Sequence, residues 1–308
     1  MKVLLTGGAG FIGSHVADEL LAAGHQVVVL DDLSSGKREQ VPARAEFVEG
    51  DIGSDLAAKL IREGNFDAVI HQAAQIDVRR SVREPRFDAQ VNILGTINLL
   101  EAAADAGVKR FVFASSGGAC YGEQEVFPAP ETHPMRPVSP YGASKVAGEV
   151  YLGYYFAEKK LPYVALRYAN VYGPRQDPLG EAGVVAIFIG RCLDGQACTI
   201  YGDGKQTRDY VYVGDVARAN RLALESTFVG ALNIGTGIET DVLTLHRAIA
   251  EITGSSQPPV FAPARPGEQR RSCIDPSLAG TAIGWRPEVQ LPQGLQMTVE
   301  YFRGTRSK

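Results

Sequence analysis

From Met1 to about Tyr168 the chain alternates short, continuously apolar, β-branched runs with longer stretches whose apolar positions recur at helical spacing. Runs without a polar alternate suit strands buried on both faces, and their alternation with helices predicts a parallel sheet covered on both sides. The expected strands are Lys2 to Leu5, Gln26 to Leu30, Glu46 to Val48, Asp67 to His71, Arg110 to Ala114 and Pro162 to Arg167. Phe11 to Ala23 has a helical pattern that Gly24 stops. Two longer helices are expected at Pro85 to Ala106 and Ser139 to Lys159. Both carry apolar or small residues around much of their circumference, which suits one face packed on the sheet and another on a second subunit.

After Asn170 the pattern gives way to loops rich in Gly and Pro, as at residues 172–180 and 258–266, of a kind that builds binding surfaces. One apolar strand there, Ala231 to Ile234, has the character needed to return to the first sheet. The length of 308 residues permits a sizeable core, and 45% hydrophobic residues exclude disorder. With 31 basic and 35 acidic residues, a net charge of −4 and no long run of one sign, a phosphate-tracking nucleic-acid surface is excluded. No apolar run approaches the roughly 18 to 20 residues of a membrane span, and the amino terminus does not read as a signal peptide. Cys120, Cys192, Cys198 and Cys273 are scattered, with no CxxC pair and no His at metal-ligand spacing. They read as reduced core thiols, with no metal site, and the expected location is cytoplasmic.

Candidate chemistry begins where the first strand runs into Thr6-Gly-Gly-Ala-Gly-Phe-Ile-Gly13 and a helix follows. Gly8, Gly10 and Gly13 fit G-x-G-x-x-G, while Gly7, Gly10 and Gly13 fit G-x-x-G-x-x-G. Glycines are needed for a tight turn, for close approach of backbone to a pyrophosphate, and for helix-to-strand packing. The second strand ends in Asp31 and Asp32, where a carboxylate holds an adenosine ribose and repels a 2′-phosphate, favouring NAD over NADP. Farther on, Tyr141 and Lys145 stand at i and i+4, on one helix face. For tyrosine to act as a base near pH 7 its pKa must fall by about 3 units, or about 4 kcal/mol. One cation about 4 Å away supplies approximately that at an effective dielectric near 20, so Lys145 is the expected source, with a nicotinamide charge adding to it.

With these residues in hand the chain resembles the extended short-chain dehydrogenase/reductase superfamily (NAD-dependent epimerase/dehydratase), and within it the UDP-glucose 4-epimerases. The resemblance covers essentially the whole chain. It rests on the glycine turn, Asp31 to Lys37, Asp51-Ile52, His71-Gln-Ala-Ala74, Asn92, the Tyr141/Lys145 pair, Leu166 to Pro174 and Arg208-Asp-Tyr210. It implies an α/β fold, a Rossmann-type doubly wound parallel sheet formed by residues 1–168 plus about 230–236. A smaller interleaved α/β substrate domain takes residues 169–229 and 237–308. Tyr141 would take the C4 hydroxyl proton of a UDP-sugar while hydride passes to tightly held NAD. The 4-keto sugar turns over and hydride returns to its other face, interconverting UDP-glucose and UDP-galactose. The family's NAD contacts fall on Gly7, Gly10, Phe11, Ile12, Gly13, Asp31, Asp32, Ser34, Ser35, Gly36, Asp51, Ile52, Gln72, Ala73, Ala74, Asn92, Tyr141 and Lys145. Its uridine diphosphate contacts fall on Asn170, Tyr201, Arg208, Arg265 and Glu268, and arginine suits diphosphate oxygens because it donates two parallel hydrogen bonds. The two long helices resemble those through which family members form homodimers, and galactose metabolism is the implied setting.

Two departures bear on chemistry. The family's catalytic Ser or Thr falls by count on Gly117, and a one-residue insertion in the turn would bring Ser116 into the role instead; with Gly117 in place, water or Ser115 would have to relay the proton. Dehydratases carry an acid just after that position, whereas Gly118 and Ala119 stand here, and Glu123 and Glu125 read as solvated loop acids. Ser272 falls where some epimerases carry a bulky tyrosine, which implies room for an N-acetyl group. The alternatives are another UDP-sugar enzyme such as a UDP-glucuronate 4-epimerase, a 4,6-dehydratase, or a non-catalytic NAD-binding protein.

Overall fold

A computed structural model of the protein describes residues 1–178, 183–264 and 269–306. The first half runs β1 (Lys2–Thr6), α1 (Phe11–Ala22), β2 (Gln26–Asp31), β3 (Glu46–Glu49), α2 (Asp55–Glu63), β4 (Ala68–His71), α3 (Val78–Arg83), α4 (Pro85–Ala89), α5 (Gly95–Asp105), β5 (Arg110–Ser116), α6 (Gly117–Tyr121), α7 (Pro140–Lys159) and β6 (Tyr163–Tyr168). It continues through β7 (Asn170–Tyr172), α8 (Val184–Leu193), β8 (Thr199–Tyr201), β9 (Thr207–Tyr212), α9 (Val213–Glu225), β10 (Gly230–Ile234), β11 (Glu239–Asp241), α10 (Val242–Thr253), β12 (Val260–Ala262), α11 (Ser277–Ile283) and α12 (Leu291–Arg306).

Seven parallel strands form the main sheet in the order β10-β6-β5-β4-β1-β2-β3. The apolar run at Ala231 does return, as β10 beside β6, with Leu232 opposite Leu166. Alternate residues of one strand feed opposite cores: Val3 and Leu5 face Val16 and Leu20 of α1 and Val216 of α9, while Leu4 joins Ile61, Leu99 and Leu152 on the other side. Truncating a fully buried leucine such as Leu4 to alanine costs about 2–5 kcal/mol, so this two-sided filling fixes the register of the strand. The chain order reverses at β1, which lies between β2 and β4, and a doubly wound sheet binds ligands in the crevice outside the strand ends at that point. Two smaller sheets, β11-β9-β7 and β12-β8, and a third core that includes Phe188, Leu245 and Val299, make up the rest.

The segment expected as one helix from Pro85 to Ala106 differs in detail. A π turn at Gln90–Leu94 joins α4 to α5. A helical hydrophobic period tolerates one extra residue per turn, so the pattern alone does not reveal such a turn, and π turns gather at functional sites. Strand β5 also runs two residues beyond the expected Ala114, to Ser116. Among the described residues no helix is long and apolar enough to cross a membrane. The loops expected at 172–180 and 258–266 are described only in part.

Candidate active site

At the crevice, β1 passes through the glycine turn into α1, with Gly10 at the helix N-cap. Gly7 has φ +71°, and a Cβ there would lie 2.5 Å from the Ala73 nitrogen; a Cβ on Gly13 would lie 2.0 Å from the Gly7 carbonyl oxygen. Only glycine allows β4's exit and the first turn of α1 to press this closely on the loop. No side chain caps α1 and its first turn holds no acid, so the leading N–H groups and the positive dipole end suit a pyrophosphate. The cradle therefore fits a dinucleotide.

Asp31, at the end of β2, accepts from the Ala9 and Leu33 nitrogens, each at 2.9 Å, and burial pushes its pKa up. Each oxygen retains a further lone pair for a hydroxyl. Asp32 is exposed and accepts from the Ser34 nitrogen at 2.9 Å and hydroxyl at 2.6 Å. Beyond Ser35, Gly36 packs on Ala9, where a Cβ would meet backbone at 2.8 Å. Asp51 is exposed and accepts from the Gly53 nitrogen at 2.7 Å, while Ile52 is buried against Gly95.

After β4, Ala73 and Ala74 stay half-buried, but the Gln72 amide turns inward to the Tyr168 hydroxyl (3.0 Å) and Asn220 Oδ1 (2.8 Å). Asn92 sits in the π turn, also buried. Its amide donates to the Gln75 carbonyl at 2.9 Å and to the Ser144 hydroxyl at 3.2 Å, and it accepts from the Gln75 nitrogen at 2.8 Å. Asn92 thus splints the loop after β4 to α7. His71, whose position inside an apolar strand run was its only signal, bridges the Thr6 hydroxyl at 2.7 Å and the Thr96 hydroxyl at 3.0 Å. Burial, with the Lys145 charge adding to it, holds the His71 pKa down to about 3.

Helix α7 begins where Ser139 accepts from the Gly142 nitrogen at 3.1 Å and Pro140 takes the first turn, a start worth about 1 kcal/mol. Tyr141 is therefore at the mouth of the helix and Lys145 one turn deeper. Lys145 Nζ donates to the Ala114 carbonyl at 2.9 Å and lies 5.8 Å from the Tyr141 ring centre. Burial lowers the Lys145 pKa to about 8. Contrary to the expectation that Lys145 brings the phenol toward neutrality, burial drives the Tyr141 pKa upward, with Cys120 and Asp88 adding to the rise. One of the Lys145 ammonium's three N–H groups is committed to that backbone carbonyl, which fixes its place one turn below the phenol.

One turn beyond Lys145, Glu149 accepts from Arg167 through Nη2 at 2.6 Å and Nε at 3.0 Å, and from the Ser115 hydroxyl at 2.5 Å. Arg167 also donates to the Tyr121 hydroxyl at 2.9 Å, which donates to Asn233 Oδ1 at 2.7 Å. The spacing Tyr141, Lys145, Glu149 along one helix face was the available signal for this network. Ser115 is thereby engaged inside the fold. Ser116, half-buried at the end of β5, caps α6 by accepting from the Ala119 nitrogen at 3.4 Å. A Cβ on Gly117 would meet Ile274 at 2.9 Å, inside packing, so Ser116 is the hydroxyl at the strand end. Glu123 and Glu125 are exposed, and Glu125 pairs with Arg136.

In the second half Asn170 is exposed at the start of β7, and Tyr201 and Arg208 are half-buried on β8 and β9. Next to Arg208, the buried Asp209 accepts from the Thr236 nitrogen and hydroxyl, the Gly237 nitrogen and the Ile274 nitrogen. Ser272 is buried, and a Cβ on Gly118 would stand 3.1 Å from its hydroxyl, so its strand-like segment lies against the turn after Ser116. Arg265 and Glu268 lie outside the described residues.

The NAD dependent epimerase/dehydratase family matches residues 3–235. The UDP-glucose 4-epimerase of Mycolicibacterium smegmatis is 49% identical over 98% of this chain and 99% of its own length. The solved UDP-glucose 4-epimerase of Thermotoga maritima with UDP-glucose superposes with a TM-score of 0.97 at 51% identity, covering 99% of this chain and 100% of that one. The Thermus thermophilus UDP-glucose 4-epimerase in complex with NAD superposes with a TM-score of 0.93 at 50% identity, covering 99% of each. A glycine cradle, a Tyr/Lys helix and these matches along nearly the whole length agree: the chain belongs to the NAD-dependent epimerase/dehydratase family.

Proposed function

We propose that the protein is an isomerase, a UDP-sugar 4-epimerase that interconverts UDP-glucose and UDP-galactose. The observation that carries this reading is Tyr141 with Lys145 on α7, whose ammonium bonds the Ala114 carbonyl of β5, the strand that ends in Ser116, in the sheet that carries the glycine cradle. NAD bound there supplies a hydride acceptor that gives the hydride back, together with a positive nicotinamide charge. The turn at Gly7, Gly10 and Gly13 and the amino end of α1 take its pyrophosphate, and Asp31, assisted by the loop from Asp32 through Ser34 and Ser35 to Gly36, takes the ribose. Phe11, Ile12, Asp51, Ile52, Ala73 and Ala74 line the cofactor's path, while Gln72 and Asn92 act by holding that backbone in place.

Tyr141 removes and returns the C4 hydroxyl proton, and Ser116 hydrogen-bonds the same oxygen. The phenol must ionise against its burial, so Lys145 and the nicotinamide charge act together on it. Asn170, Tyr201 and Arg208, with Arg265 and Glu268 by family resemblance, grip the uridine diphosphate. The small Ser272 beside the turn after Ser116 supports acceptance of N-acetylated sugars as well. A dehydratase reading is disfavoured, since Gly118 and Ala119 follow Ser116 and Glu125 is committed to Arg136. Exposed Leu94, Val150, Tyr151 and Tyr154, on the two long helical segments, support a homodimer. Galactose metabolism in the cytoplasm is the setting this reading implies.

The test mixes purified protein, without added cofactor, with UDP-galactose and follows the sugars by proton NMR. Appearance of UDP-glucose is the expected result. No conversion even with NAD added would overturn the reading.

A further inference from the structure

We propose that Cys192, Cys198 and His246 supply three ligands of a site for one zinc ion inside the second half of the molecule. Cys192 lies at the end of α8, Cys198 just before β8, and His246 on α10, so the chain pattern gives no sign of the grouping. The two sulfurs stand 3.6 Å apart, and with one ring nitrogen of His246 the three donor atoms all lie within 4.8 Å of one another. The residues are 6%, 1% and 5% exposed.

Two features ask for a ligand. His246 Nε2 is buried without a hydrogen-bond partner. A buried polar atom left unpaired is costly, and a Lewis acid relieves a ring nitrogen directly. The sulfur spacing, that of two thiols in contact, also leaves room for a shared ion. Two thiolates about 2.3 Å from a tetrahedral zinc stand about 3.8 Å apart, whereas a disulfide draws sulfurs to about 2.05 Å. The observed 3.6 Å is close to the first figure. Two sulfurs and an imidazole, with no carboxylate, select a borderline-soft ion such as zinc over calcium or magnesium.

The ion would join α8, α10 and the β12-β8 sheet, because the Cys198 carbonyl accepts from the Val260 nitrogen at 2.8 Å. Its role is therefore a staple in the half with the shortest strands, independent of the epimerase reading.

The full-length protein, stripped with a chelator under reducing conditions, is titrated with zinc and separately with cobalt(II). One zinc per chain, a thiolate-to-cobalt charge-transfer band in the near ultraviolet and a rise in Tm with zinc are expected. Cys192→Ser and Cys198→Ser should abolish the band, and His246→Gln should weaken zinc binding at least tenfold. Should those variants fail to fold, thiol counting on the unaltered chain decides: zinc should protect two of the four cysteines from a thiol reagent. Failure to bind zinc, a cobalt band that survives in Cys192→Ser and Cys198→Ser, or a chain isolated 2 Da light through a Cys192–Cys198 disulfide that excludes zinc, would each overturn the proposal.

Discussion

Strands of four to seven residues carry the cofactor half, while β7, β8, β11 and β12 in the other half have three residues each. In the long sheet each backbone group near the crevice is held by a ladder, and the loss of one bond is shared. In the second half single buried carboxylates do the bracing. Asp209 ties β9 to Thr236, Gly237 and Ile274, and Asp215 accepts from the Glu288 and Val289 nitrogens at 3.0 Å while its carbonyl takes the Trp285 indole at 2.8 Å. A ladder distributes stability and a carboxylate concentrates it, so the two halves should respond differently to one substitution.

The largest effect tests chemistry on the rigid side. Tyr141→Phe should lower kcat by about 10³-fold with Tm little changed, because a proton path is lost and packing is kept; loss of folding in this variant would show that the phenol is structural. Next comes a point where the cofactor half also depends on a charge. Glu149→Ala leaves Arg167 buried and unpaired and should cost about 3 kcal/mol in urea unfolding, and a cost below about 1 kcal/mol would mean that water replaces the carboxylate.

Asp209→Asn presents an amide to several N–H donors and should cost about 2 kcal/mol, raising KM for UDP-sugar while leaving NAD retained. An equal loss of NAD would erase the contrast between the halves. His71 gives a comparable effect with a pH signature. The unfolded histidine titrates near 6.5 and the folded one near 3, so the unfolded chain binds the extra proton between those values. Stability should therefore fall with pH, by about 2 kcal/mol from pH 6.5 to 5, and His71→Asn should remove that slope. The smallest change is one of selectivity: Ser272→Tyr should reduce kcat/KM for an N-acetylated UDP-sugar about tenfold more than for UDP-glucose. Equal losses on both sugars would place Ser272 outside the sugar pocket.

The same contrast governs how much the chain disclosed. The glycine turn was legible because close backbone approach demands a residue type, and the Tyr141/Lys145 pair because helical spacing is arithmetic. Asn92 was placed as a contact, yet the π turn that carries it was not, since hydrophobic periodicity is indifferent to one looser turn. The choice between Ser116 and Gly117 depended on where β5 ends, and a strand end is set by pairing with β6, where Ser116 meets Tyr168.

By itself the sequence determined the parallel sheet and the dinucleotide cradle, because these rest on periodicity and on residues whose backbone needs are local, while its motifs taken together carried the resemblance to the family. Only the tertiary structure showed the direction in which burial moves the site, pushing the Tyr141 phenol up and the Lys145 ammonium down. It likewise decided the Glu149–Arg167 network, the bracing by Asp209 and the meeting of Cys192, Cys198 and His246. Those depend on which distant side chains share a water-poor space: helical spacing puts Glu149 one turn beyond Lys145, but nothing along the chain says that Arg167 meets it.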